Sequence, residues 1–119
     1  MSELARHIEA VEAAYEFTLA YAAQGRVDDA DGPGPRVRDV LGELLTAMDA
    51  LATLAPPAAG AFGTVVADDL RKSGAAVALV LACPRIGSEL IDNLNASIHL
   101  RALLTDLFLI SEAQASHGP

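Results

Sequence analysis

Apolar residues recur every three or four positions along most of this chain, which is the period of a helix and not of a strand. Leu4, Ile8, Val11, Tyr15, Leu19 and Ala22 fall within a narrow arc and predict a first helix over residues 2–24. Ser2 stands where an N-cap belongs, Glu3 favours the positive end of the helix dipole, and Gly25 supplies the stop. Residues 25–34 hold three glycines and a proline and cannot continue a helix, so they predict the most mobile loop of the chain. A second helix is expected over 35–55. It starts at Pro35, carries the stripe Val37, Val40, Leu41, Leu44, Met48 and Leu51, and ends at Pro56-Pro57.

The third segment, 58–83, places Phe62, Val66, Leu70, Ser73, Val77 and Val80 on one face. Within it, Ala75 to Ala82 is apolar on all sides, a pattern that fits a buried strand as well as a buried helix. Nothing else in the chain reads as a strand that could pair with it, so helix is favoured, with Gly74 as a weak point. Pro84 disfavours helical geometry at Cys83 and ends the segment. A fourth helix is expected over 88–115, with Ser88 as its N-cap and an inner face of Leu90, Leu94, Ile98, Leu104 and Phe108. Residues 116–119 read as a disordered tail. Four amphipathic helices with short connections predict an all-α fold, an antiparallel four-helix bundle in a single domain over 1–119, paired as a dimer.

The pattern breaks in two places. Leu100, Leu103, Leu107 and Ile110 form a second apolar stripe on the last helix, offset from the first by a quarter turn or more. Phe17 and Tyr21 likewise sit away from the main stripe of the first helix. Surplus apolar surface of this kind marks interfaces, so these six residues are candidates for a homodimer or partner surface. The second break is polar. In a hairpin turning at residues 84–87, Leu70 faces Arg101 and Asp69 lies beside it, which makes Asp69 and Arg101 a candidate buried ion pair.

Composition narrows the possible chemistry. The 16 acidic residues outnumber the 8 basic ones, for a formal charge of −8, against the clustered positive charge that nucleic acid or an anionic membrane requires. The 10-residue run Gly74 to Cys83 is too short to span a bilayer. The one cysteine, Cys83, makes no internal disulfide, and the opening residues show no signal-peptide pattern, so a cytoplasmic location is expected. His7, His99 and His117 are far apart and form no metal-ligand spacing, and no Cys-x-x-Cys is present. Asp29-Ala30-Asp31-Gly32 lacks the further ligands of a calcium loop, and Asp28, Asp29 and Asp31 read as a solvated turn. His99 lacks the neighbouring lysine and small residues that would suit phosphotransfer, and Glu9, Glu12 and Glu16 read as a solvated flank. No metal, cofactor or catalytic residue is expected.

These observations predict a non-enzymatic interaction module or accessory subunit, acting through protein–protein contacts as a homo-oligomer. The alternative is a bundle that holds a small apolar ligand between helices, with Ser73, Gly74, Ala75, Ala76 and Ala78 making room for it.

Overall fold

A computed structural model describes residues 1–30, 32 and 34–117. Asp31 of the predicted solvated turn and positions 118–119 of the predicted tail lie outside the described residues. Among the described residues the fold is all-helical, with five α-helices where four were expected: α1 (Glu3–Ala22), α2 (Val37–Ala58), α3 (Gly63–Leu81), α4 (Ser88–Asn95) and α5 (Ile98–Ser116). A short 3₁₀ turn, Gly60–Phe62, joins α2 to α3. No described helix is long and apolar enough to cross a membrane.

Local chemistry explains most of the boundaries. Ser2 caps α1 by accepting a hydrogen bond from the Ala5 amide at 3.0 Å. Gly25, at φ +67°, turns the chain out of that helix. The start of α2 is Val37 and not Pro35: Arg36 takes the extended cap conformation, and its carbonyl accepts from the Asp39 and Val40 amides to open the helix. Pro56 and Pro57 sit inside the last turn of α2 and do not end it. The carbonyls they leave without a donor belong to Ala52 and Thr53, which are exposed and can be satisfied by water. Gly74 does not interrupt α3. The helix is continuous, and only one side of Ala75 to Ala82 is buried, with Ala75, Ala78, Leu79 and Ala82 exposed.

The main departure is at Ala96-Ser97, where the expected fourth helix divides into α4 and α5. Asn95 is buried and donates its side-chain amide to the Thr18 carbonyl of α1 at 3.0 Å. Ser97 then turns extended (ψ 127°), and its carbonyl accepts from the Arg101 amide to start a new helix. The break resets the rotational phase of everything that follows. Ile98, expected inside, is 74% exposed, and Phe108 is 50% exposed. Leu100, Leu103, Leu107 and Ile110, expected to form a surface stripe, lie between 0% and 5% exposed in the core of the chain itself, beside Leu104.

In the packing, α1 lies on α2, α2 on α3, α3 on α5 and α4 on α1. The position expected for one fourth helix is thus divided, with α4 serving α1 and α5 serving α3. Core side chains include Ile8, Val11, Leu41, Leu51, Val66, Val77, Ile91, Leu103 and Leu107, all at 2% exposure or less.

Candidate functional site

Three features stand out from the packed core: a polar latch, an apolar face and a pair of carboxyl groups.

The latch ties residues 21–29 to residues 81–88. Tyr21, buried at the end of α1, donates its hydroxyl to the Ile86 carbonyl at 2.6 Å. Burial pushes this hydroxyl above its ordinary pKa, so it remains a donor. Ser88 donates to the Tyr21 carbonyl at 2.7 Å and accepts from the Arg26 amide at 2.8 Å. The Ser88 amide donates to the Arg26 carbonyl at 2.7 Å, and the Arg26 guanidinium lies over the Tyr21 ring at 5.0 Å. Gly87 is the residue that permits this approach, since a Cβ there would meet the Arg26 carbonyl oxygen at 2.9 Å.

Asp29 sits at the centre, 3% exposed, and not in solvent as the turn-like sequence suggested. It accepts from Arg38 Nε at 3.1 Å and Nη2 at 3.4 Å, from Arg36 at 3.4 Å and from the Ile86 amide at 3.0 Å. The Arg38 guanidinium, opposing the cost of burial, holds the carboxyl down at about 2. Arg38 also donates to the Leu81 carbonyl at 2.9 Å and the Cys83 carbonyl at 3.0 Å, satisfying groups left open at the end of α3. These groups bond to other parts of the chain, so the latch positions structure. The loop expected to be the most mobile is anchored here at Asp29.

Exposed large apolar side chains include Leu79 on α3 and Ile98, Phe108 and Leu109 on α5, besides Leu19 on α1, Val27 in the loop and Val65 on α3. Leu79 is 72% exposed, Ile98 74%, Phe108 50% and Leu109 55%. None of them was singled out from the sequence as a surface residue, because the continuous-helix reading put Ile98 and Phe108 inside. The signal that could have found them is Asn95-Ala96-Ser97, whose Asn and Ser favour helix ends over helix interiors. Of the six expected interface residues, only Phe17 reaches the surface, half-buried and stacked on Tyr21 with ring centroids 6.4 Å apart.

The expected pair of Asp69 and Arg101 does not form. Arg101 is exposed, and no ion pair joins them among the described residues. The break before α5 shifts the register, so Asp69 meets Asp106 in its place. Asp106 is 7% exposed, and its Oδ2 is buried with no hydrogen-bond partner.

Among the described residues no group of three His, Cys, Asp or Glu side chains could hold a metal ion. The clefts are surface grooves. One of about 400 Å³ lies between the ends of α2 and α5, lined by Ala58, Phe62, Leu109, Ile110, Ala113 and His117 among others. Another, of about 760 Å³, runs along α1 and α2 past His7, Ala10, Gly42 and Glu43. Ala75 and Ala78, expected to make room for a ligand inside, face outward. Comparisons with family models, curated proteins and solved structures return no match for the chain.

Proposed function

We propose that this chain is a non-enzymatic helical interaction module that pairs with a second copy of itself through the α3–α5 face. The observation that carries this reading is the exposure of Leu79, Ile98, Phe108 and Leu109 on two helices packed against each other. Charge distribution supports a like partner. Helices α1 and α2 carry seven carboxylates against two arginines, whereas α3 and α5 carry four against three basic groups. Association through α3 and α5 therefore keeps the acidic helices of both copies away from the contact. A cytoplasmic setting fits a fold that needs no disulfide.

Sedimentation should show a dimer at micromolar concentration. The double substitution Leu79→Glu and Ile98→Glu should yield a monomer with an unchanged helical circular dichroism spectrum, since both side chains are already in solvent. A monodisperse wild-type monomer would end this reading. The groove beside Phe62 and Leu109 supports a second reading, the binding of a small apolar ligand at the α2–α5 end. Native mass spectrometry separates the two, because a carrier would show added mass on each protomer.

A further inference from the structure

We propose that Asp69 and Asp106 form a one-proton clasp between α3 and α5, so that loss of the shared proton loosens the hold on α5. The geometry leaves few alternatives. Asp106 is 93% removed from solvent, and its Oδ2 lacks a donor. The group it meets is another carboxyl, Asp69. The basic residues nearest in sequence to Asp69 are committed elsewhere: Arg71 donates to Asp68 at 2.7 Å and Lys72 pairs with it at 2.9 Å. Arg101, on Asp106's own helix, is exposed, as are His99 and Glu112.

The other helices bring no compensating charge. The inward face of α1 is Leu4, Ile8, Val11 and Ala14, with Thr18 and Tyr21 at its far end, and His7 lies against Glu3 at 4.0 Å. The inward face of α2 is apolar from Val37 to Ala55, and that of α4 holds Ser88, Ile91, Leu94 and Asn95, with Glu89 and Asp92 exposed. Two neighbouring carboxylates, one of them buried and neither with a cation, cannot both stay charged at low cost. With one proton between them, one carboxyl donates to the other. Without it, a buried charge faces a like charge.

Burial first, and the Asp69 carboxyl second, lift Asp106 to about 7. The folded value lies above the ordinary 3.8, so the native state keeps a proton that the unfolded chain releases. The stability this provides is complete below the ordinary value and is lost as pH rises towards and through about 7. Phe108 and Leu109 lie within one turn of Asp106 on the outer side of α5, so an opened clasp also disturbs that exposed apolar surface. That last consequence rests on the proposed self-association, whereas the clasp lies within one protomer and does not.

The test compares thermal unfolding of the wild-type chain and Asp106→Asn from pH 5.5 to 8.5. An asparagine can donate to Asp69 without titrating. The wild-type midpoint should fall by about 5 °C or more relative to the variant across this range. A carboxyl-carbon NMR titration of the wild type provides a second readout should the variant fail to fold, and the Asp106 resonance should move near neutrality. Parallel midpoint curves, or an Asp106 resonance that titrates near 4, would overturn the clasp. Sedimentation on the same samples separates the two proposals: a monomer at every pH with a titrating Asp106 removes the dimer and leaves the clasp in place.

Discussion

Leu107→Glu is expected to leave the chain unfolded at neutral pH, with most of its helical circular dichroism signal lost. Leu107 is fully buried in the core, together with Leu103 on the same helix. The substitution removes a packed leucine, a loss of about 2–5 kcal/mol. It also places a carboxylate where no cation or donor can answer it, which costs several kcal/mol more or forces the group to remain protonated. A domain of this size has about 5–15 kcal/mol of stability in total. The same change one residue later, Phe108→Glu, should leave the spectrum intact, because Phe108 is half in solvent. The contrast between adjacent positions tests the rotational phase of α5 directly. A folded Leu107→Glu protein that merely fails to self-associate would mean that the continuous-helix phase is correct and the break at Ala96-Ser97 is not.

Asp29→Ala should lower stability by about 3 kcal/mol, as removal of one partner from a buried charge network does. The loss has three parts: the Ile86 amide is left without an acceptor, Arg38 loses its carboxylate, and the loop loses its anchor to residues 81–88. Arg38 is about one-third exposed, so water offsets part of its loss. Denaturant unfolding at pH 7 measures the effect. The same group sets a response to acid. Its folded value, about 2, lies below the ordinary 3.8, so the unfolded chain takes up the proton first. The contribution is complete above the ordinary value and is lost as pH falls through it towards 2, a change of about 2 kcal/mol. Asp29→Ala should therefore show a shallower loss of stability between pH 4 and pH 2 than the wild type. A variant as stable as the wild type at pH 7 would show that the latch contributes nothing to the fold.

The helical class and the first three helices were legible from periodicity and caps because both are local. Ser2, Gly25 and the stripe of α2 each declare themselves within one or two turns. The α4–α5 break was not legible from the apolar pattern, because leucines continue across it and hide the phase change. What decides it is a long-range bond from Asn95 to Thr18, 77 residues away. The same limit hid the latch. Asp29 looks like a turn residue in sequence, and nothing local says that two arginines and a distant amide converge on it. Tyr21 leaves the main stripe of its helix and so reads as surface in the sequence, whereas its hydroxyl has a partner 65 residues on. The Asp69–Arg101 expectation failed for the reason that misplaced Ile98 and Phe108: a register counted through an unbroken helix.

The latch also bears on the order in which the chain assembles. Those of its bonds that join residues 21–29 directly to residues 86–88 span 57 to 67 positions, whereas contacts within a helix and between successive helices close shorter stretches of chain. Loop closure over such distances costs entropy before the bonds form, so the α1–α2–α3 pairings lead and the latch follows. Interactions completed after the transition state act on the rate of escape from the native state and little on the rate of arrival. Tyr21, Asp29, Ser88 and Gly87 are therefore expected to govern the lifetime of the folded protein more than the speed of its folding.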